Sequence, residues 1–289
     1  MINERVYRSE GIVVHRRNQG EADRILTLCT PQGKVQVVAK GARKVRSRKA
    51  GHLELFAHAQ LTLARSRSSW DIVTQAETVA PNTALRGDLV RGTYARYAVE
   101  LYDRFIAEGE GGPSLFDLLA RMLAYLCEEE RLDLLARAYE QRLLMLVGFR
   151  PEWEHCVGER GGGLCERPLD PHGERPFGLD PERGGGLCPD CYHTHRQEHA
   201  VVPLSPAALQ LFQALQREPF VQVREMPVSP VLLEEVERAA RHYITYYLER
   251  DVQTGRFMRR LDLNRQGEGA HIDPPSAPAG KAVGPLSKM

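Results

Sequence analysis

Four of the six cysteines lie in one segment of the chain, with spacing that suits metal ligands. Cys188 and Cys191 form a C-x2-C pair, the standard spacing of a zinc site, whereas eight residues separate Cys156 from Cys165. Two thiolate pairs can bind one Zn²⁺ tetrahedrally and hold together a loop that has too few apolar residues to fold by burial. The pattern predicts a structural zinc site formed by Cys156, Cys165, Cys188 and Cys191, with a looped-out insertion in its first half.

A basic stretch is the second group with a possible chemical role. Residues 40–49 hold six Lys or Arg in ten positions, and no Asp or Glu occurs between Lys34 and Glu54. A mobile, solvated loop is the plain interpretation. We favour phosphate binding, because solvated surfaces usually mix both signs and each neutralised phosphate releases counterions. The candidate nucleic-acid-binding residues are Arg16, Arg17, Arg24, Lys34, Lys40, Arg43, Lys44, Arg46, Arg48 and Lys49.

Charge is unevenly distributed along the 289 residues, although the net charge is only +1. Residues 1–80 contain 14 Lys or Arg against 7 Asp or Glu, whereas the remainder contains 25 against 31. No apolar run is long enough to span a bilayer, and the N-terminus lacks a signal-peptide pattern. Isolated cysteines at positions 29 and 127 suit buried thiols in a reducing compartment. We therefore expect a cytoplasmic protein.

The elements that must position the basic stretch are short strands. Alternating apolar residues predict strands at residues 11–15, 24–30, 34–39, 60–63 and 70–74. Five strands with glycine punctuation and no long helix between them favour a small closed antiparallel barrel, of which the OB-fold is the common case. An SH3-like barrel remains an alternative, because periodicity does not determine strand order.

Beyond residue 80 the apolar spacing becomes helical, and the fold class is therefore α+β. Ser114 and Asp117 have the spacing of a capping box, while Ser205 and Ser229 each precede a proline and mark two further helix starts. The expected domains are, in chain order, a barrel (1–80), a first helical part (81–151), a zinc-binding excursion (152–200), a second helical part (201–262) and a disordered tail (263–289).

Two other classes of protein fit the motifs less well. A zinc-dependent hydrolase or nuclease needs an open metal position and a general base, and a four-thiolate set supplies neither, so we expect no enzymatic activity. A zinc-ribbon protein of transcription or translation would bind nucleic acid through the ribbon itself. Residues 156–191 contain four Arg against seven Asp or Glu, and this charge would repel a phosphate backbone.

Several blocks of residues, in order, resemble the family of the bacterial DNA repair protein RecO. The blocks are G-I-V-V at 11–14, G-E-A-D-R-I-L-T-L at 20–28, A-K-G-A-R at 39–43, S-R-K-A-G at 47–51, Y-E-x-R-L-L-x-L-x-G-F-x-P at 139–151 and G-G-L-C-x-x-C at 185–191. The resemblance covers roughly residues 5–262 and is more specific than any single motif.

This resemblance implies both a fold and a function. The implied fold is an N-terminal OB-fold, a helical domain and a zinc-binding excursion between helices. The implied function is that of a recombination mediator of the RecF pathway, associated with the nucleoid. Such a protein binds single- and double-stranded DNA, anneals complementary strands and, with RecR, helps load RecA onto DNA coated by single-strand-binding protein. The helical domain of the family typically contacts the acidic C-terminal tail of that coating protein.

The first cysteine pair departs from the family pattern. The family usually has C-x2-C there, so Cys165 resembles the second cysteine of a pair that six extra residues separate from Cys156. His155, His193 or His195 could replace Cys156 as the fourth ligand. Four-cysteine ligation is nevertheless favoured, because it is among the usual structural zinc sets and a lone surface histidine near a metal is more often a bystander.

Overall fold

Five strands close into a barrel in the N-terminal part of the chain. The computed structural model describes residues 5–66 and 70–248. Its first five strands are β1 (Val6–Gln19), β2 (Asp23–Thr30), β3 (Gly33–Ala39), β4 (His58–Ala64) and β5 (Asp71–Ala80). Their order around the barrel is β1-β2-β3-β5-β4. Strand β3 pairs with β5 in parallel, and the other four pairings are antiparallel. The predicted OB-like barrel is confirmed.

Strand β1 is buried on both of its faces. Successive side chains of a strand point to opposite sides. Val13 therefore lies inside the barrel with Leu26, Leu28 and Leu61, whereas Ile12 and Val14 join the core of the helical domain. This double burial explains the continuous apolar run at residues 11–14.

Helices make up most of the remaining chain and pack around one core. They are α1 (Ala84–Gly87), α2 (Leu89–Phe105), α3 (Pro113–Glu128), α4 (Leu132–Leu146), α5 (Pro189–His195), α6 (Pro206–Arg217), α7 (Phe220–Val223) and α8 (Pro230–Leu248). The short strands β6 (Glu159–Arg160), β7 (Gly163–Leu164), β8 (Phe177–Asp180), β9 (Gly185–Leu187) and β10 (Val202–Leu204) lie between α4 and α6. Among the helices that the structure describes, none combines the length and apolar content needed to cross a bilayer. The predicted tail at 263–289 lies outside the described residues.

Two of the three predicted helix starts are confirmed. The Oγ of Ser205 accepts a hydrogen bond from the amide of Ala208 at 3.1 Å, and the Oγ of Ser229 accepts one from the amide of Leu232 at 3.2 Å. The capping box at Ser114 is wrong. Helix α3 already begins at Pro113, so Ser114 lies inside the first turn and no side chain caps the helix.

Backbone contacts fasten the barrel to the segment after α2. The amide of Lys34 donates to the carbonyl of Glu110 at 2.7 Å, and the amide of Gly109 donates back to the carbonyl of Lys34 at 2.8 Å. Gly33 allows this approach, because a Cβ atom there would lie 2.7 Å from the Glu110 oxygen. The two parts are therefore joined by main chain as well as by side chains.

A buried ion pair within α4 lies at the centre of the helical domain and contacts a neighbouring helix. Arg137 Nη2 lies 2.9 Å from Glu140 Oε1, and both side chains are almost fully buried. The hydroxyl of Tyr97, on α2, also donates to Glu140. Burial raises the pKa of Glu140, while the neighbouring Arg137 and Tyr97 oppose that rise. The carboxylate thus depends on these partners, and on the nearby Arg241, for its charge.

Replacing Glu140 should reveal how strongly this pair is coupled. Glu140→Gln leaves the Arg137 guanidinium as an unpaired buried charge, so we expect the free energy of unfolding to fall by about 3–5 kcal/mol in denaturant titrations. The control is Glu130→Gln, at an exposed position, which should change stability by less than about 0.5 kcal/mol. Equal effects of the two variants would contradict a coupled buried pair.

Candidate functional site

The four cysteines predicted to bind zinc lie together. The Sγ atoms of Cys156, Cys165, Cys188 and Cys191 are all within 4.8 Å of one another. Cys165 Sγ and Cys188 Sγ are 3.9 Å apart. A tetrahedral zinc site with Zn–S bonds of about 2.3 Å has sulfur atoms about 3.8 Å apart. The side chains present therefore fit a tetrahedral thiolate site for Zn²⁺.

Backbone groups of both halves of this site point at Cys156. Its Sγ accepts hydrogen bonds from the amide of Cys188 at 3.1 Å and from the amide of Gly158 at 3.4 Å. Burial raises the pKa of the Cys156 thiol to about 11, although these two amides act in the opposite direction. Metal binding would therefore have to displace a thiol proton. A Cβ atom at position 158 would lie 2.7 Å from the Cβ of Cys191, so glycine allows the two halves to meet.

The looped-out insertion predicted between Cys156 and Cys165 is a β-hairpin. Strands β6 and β7 pair across a turn in which Gly161 and Gly162 have positive φ angles of 63° and 87°. The amide of Cys165 donates to the carbonyl of Gly158 at 2.8 Å and closes the base of the hairpin. Without residues 159–164, the chain would read Cys-Val-Gly-Cys, with ordinary ligand spacing.

The inserted residues have the same sequence as a stretch further along the cysteine-containing segment. Residues 159–165 and 182–188 both read E-R-G-G-G-L-C. In the second copy Leu187 is fully buried, whereas Leu164 in the first copy is 68% exposed. Our sequence analysis missed this duplication, which a comparison of the chain with itself reveals. One heptapeptide therefore serves as buried sheet in one place and as a surface hairpin in the other.

The histidines considered as alternative ligands lie outside the sulfur cluster. In the described part of the chain, the group of side chains close enough to share a metal contains the four cysteines alone. His195 Nδ1 instead lies 2.6 Å from Glu198 Oε1. His155 and His193 are exposed. The geometry thus favours Cys156 as the fourth ligand.

Residues 40–49 form an ordered loop at one end of the barrel. The amide of Lys44 donates to the carbonyl of Gly41 at 3.1 Å, and the amide of Ser47 donates to the carbonyl of Lys44 at 2.9 Å. Arg43 ties the loop to the β1–β2 turn, because its amide donates to the carbonyl of Ala22 at 2.9 Å. The exposed cations of this loop are Lys40, Arg43, Lys44, Arg46 and Arg48. Consecutive turns therefore present a row of positive charge to solvent.

Other residues predicted to bind nucleic acid add to this basic surface, but nearby acceptors and a carboxylate neutralise part of their charge. Arg24 Nη1 lies 3.0 Å from Glu54 Oε1, and Arg16 pairs with the same carboxylate. The guanidinium of Arg17 lies 5.4 Å from the ring centroid of Trp70. Lys49 Nζ donates to the carbonyl of Val73 at 2.7 Å, so its ammonium group is partly occupied.

Lys34 lies away from these residues. It is at the start of β3, whereas the basic loop follows the end of that strand. Its Nζ lies 2.7 Å from Asp103 Oδ1 and donates to the carbonyl of Ile106 at 2.8 Å. Only 13% of its side chain is exposed. The prediction that Lys34 binds nucleic acid gains no support from this position.

Comparison with known proteins identifies the family. The model of the recombination protein O N-terminal domain matches residues 1–82, and that of the C-terminal domain matches residues 86–255. The chain belongs to the RecO family. It is 39% identical over 257 residues to the DNA repair protein RecO of Roseiflexus sp. (strain RS-1), covering 89% of this chain and 86% of the relative. The RecO protein of Desulforamulus reducens is 34% identical over 269 residues, with 93% and 100% covered.

The helical domain of this RecO family member also carries an apolar groove. The groove encloses about 420 Å³ between α3, α4 and α7. Its apolar lining includes Leu118, Met122, Tyr125, Met145, Leu146, Phe220 and Val221. Met145, Leu146 and Val221 are partly exposed large apolar residues, and Arg121 lies at the groove with 72% of its side chain exposed. Arg121 Nη2 is 4.0 Å from Oδ2 of Asp117, which also lines the groove. Apolar side chains beside an exposed guanidinium suit a peptide that is apolar and carries a carboxylate able to compete with Asp117.

Deleting residues 159–164 tests whether the hairpin is dispensable for the metal site. We expect the shortened chain and the parent to bind one zinc ion each, because the hairpin is exposed and its base is closed by backbone hydrogen bonding. Cys156→Ser should reduce the zinc content from one ion per chain to none and lower Tm. Metal analysis of the purified proteins and thermal unfolding would measure both. Loss of zinc from the deletion variant would contradict this description of the insertion.

Proposed function

We propose that this protein is a recombination mediator that acts without catalysis. It would bind single- and double-stranded DNA, anneal complementary strands and, with RecR, help load RecA onto DNA coated by single-strand-binding protein in the bacterial cytoplasm. Membership of the RecO family supports the general role. The row of exposed cations on residues 40–49 is the observation that carries the DNA-binding part of the proposal.

The basic loop supplies a physical route to annealing. Exposed Lys and Arg neutralise phosphates, release condensed counterions and lower the repulsion between two strands brought to one surface. An ordered loop holds these charges in place, so the protein need not order them when DNA binds. Phosphate contacts carry no sequence information directly. We therefore propose that the protein binds DNA of any sequence.

The metal site would have a structural role in this function. Cys156, Cys165, Cys188 and Cys191 would hold Zn²⁺, and four thiolates leave no open coordination position for a substrate or a reactive water. The ion would contribute free energy to folding. This assignment supports a mediator over a zinc-dependent hydrolase or nuclease.

The apolar groove is our candidate for the partner contact. The tail implied by the family resemblance is acidic, and Arg121 could pair with a carboxylate at the mouth of the groove. Residues such as Met122 and Phe220 would receive an apolar side chain of the same peptide. Docking of the tail in the groove would then bring coated DNA to the protein.

Neutralising the loop should weaken DNA binding in a salt-dependent manner. The test variant replaces Lys44, Arg46 and Arg48 with Gln, because these side chains are exposed at the loop tip. Its matched control replaces the exposed Arg96, Arg196 and Arg238, which changes the net charge equally. With a slope of about −0.7 per phosphate on single strands, the test variant should lose about two from its log–log salt slope. Its annealing rate should also fall.

Titration of a labelled single strand at several salt concentrations would measure the slope, and strand annealing would be followed separately. The control should behave as the parent chain in both assays. If the loop variant kept the parent's slope and annealing rate, the DNA-binding assignment would be wrong.

The groove can be tested separately from the loop. Arg121→Glu should leave annealing of naked strands unchanged and slow annealing of strands coated by single-strand-binding protein, because the repelled tail no longer docks. Coating protein that lacks its acidic tail should remove the difference between the variant and the parent chain. Arg238→Glu is the matched control. Equal rates for parent and Arg121→Glu on fully coated strands would exclude this groove.

A further inference from the structure

Three arginines converge on one carboxylate beside the cysteine cluster. Asp190, which lies between Cys188 and Cys191 in the chain, accepts hydrogen bonds from Arg175 at 2.5 Å, from Arg167 at 2.7 Å and from Arg160 at 3.2 Å. The arginine side chains are 49–64% exposed. Three guanidinium groups and one carboxylate carry a net charge of +2.

This convergence is not explained by the carboxylate alone. Each arginine follows a glutamate in the chain, namely Glu159, Glu166 and Glu174, and all three glutamates are exposed. One Asp balances one Arg, and exposed ion pairs contribute about 0–1 kcal/mol. The guanidinium groups nevertheless converge on Asp190 and not on these glutamates, so the shared carboxylate has a local excess of two positive charges around it. A further negative charge beside Asp190 would offset that excess.

The cysteine cluster supplies that negative charge when it holds zinc. Four thiolates and one Zn²⁺ sum to a charge of −2, which equals the excess of the arginine cluster in magnitude and is opposite in sign. Arg167 follows Cys165 by two residues, and Asp190, which Arg167 contacts, lies between Cys188 and Cys191 in the chain. The arginine cluster therefore lies beside a centre of opposite charge.

We propose that Arg160, Arg167 and Arg175, gathered by Asp190, are the counter-charge of the zinc–thiolate centre and strengthen its hold on the metal. This inference rests on the zinc site proposed above. It also assigns a role to the inserted hairpin, because Arg160 belongs to it. The insertion adds one guanidinium to a site whose ligands would meet without it.

Zinc affinity is the measurement that tests this proposal. The triple variant Arg160→Gln, Arg167→Gln and Arg175→Gln should bind Zn²⁺ about ten-fold more weakly in competition with a chromophoric chelator, because it removes three positive charges beside a negatively charged centre. The difference should shrink as salt is added, since exposed charges are screened. Arg196→Gln, an exposed arginine of the same excursion outside the cluster, is the control and should match the parent.

Asp190→Asn distinguishes two roles for the arginine cluster. The arginines could stabilise the metal centre by their charge, or they could only link the two halves of the site through hydrogen bonds to Asp190. The amide oxygen can still accept hydrogen bonds, and the cluster gains one positive charge, so zinc affinity should stay equal or increase. A fall as large as that of the triple variant would overturn the proposal. The absorption spectrum of the Co²⁺-loaded proteins would show whether the four-sulfur geometry is kept.

Zinc binding by the parent and the triple variant shows whether the counter-charge proposal fails alone or together with the zinc assignment. If the parent chain bound no zinc, both would fail. If the parent bound one zinc ion and the triple variant bound it equally well, only the counter-charge would fail. Should the triple variant not fold, Arg175→Gln alone serves, because Arg175 is the most exposed of the three; it should weaken zinc binding by a smaller factor, and parent-like affinity would overturn the proposal.

Discussion

The burial of strand β1 on both faces is the constraint on which the molecule depends. Val13 fills the barrel, while Ile12 and Val14 enter the core of the helical domain, so one strand belongs to two packed interiors. The backbone contacts between Lys34 and the segment after α2 reinforce this joint. Because protein interiors are closely packed, the joint holds the basic loop and the apolar groove on one body. DNA and a partner peptide would therefore be held at a defined separation.

The zinc excursion is bound to the helices by more than the cysteine cluster. The ring of Trp153 stacks on Phe212 with centroids 4.4 Å apart, and its Nε1 donates to Gln141 at 3.0 Å. Gln213 donates from α6 to the carbonyls of Trp153 and Leu169. These buried contacts anchor the base of the excursion. A metal would then order its outer part, where glycines and charged residues offer little apolar surface to bury.

The charge counted along the sequence differs from the arrangement of charged side chains in the folded protein. Counted along the chain, residues 156–191 are acidic. In the structure Asp180 is fully buried and paired with Arg183, and three other arginines meet at Asp190. Glu159, Glu166, Asp170, Glu174 and Glu182 stay exposed, so this surface keeps an acidic excess but also carries a local cluster of arginines. The barrel loop differs, because no acid lies within it and its cations reach solvent together.

Local chemistry determined much of this protein from sequence alone. Alternating apolar residues predicted the strands, Ser205 and Ser229 predicted helix starts, and thiolate spacing predicted the cysteine cluster, because each depends on neighbours in the chain. Only the tertiary structure decided the rest. It placed Lys34 against the end of α2, made Pro113 the start of α3 and gave identical heptapeptides opposite environments. Those outcomes depend on contacts between residues far apart in the chain, which local patterns do not encode.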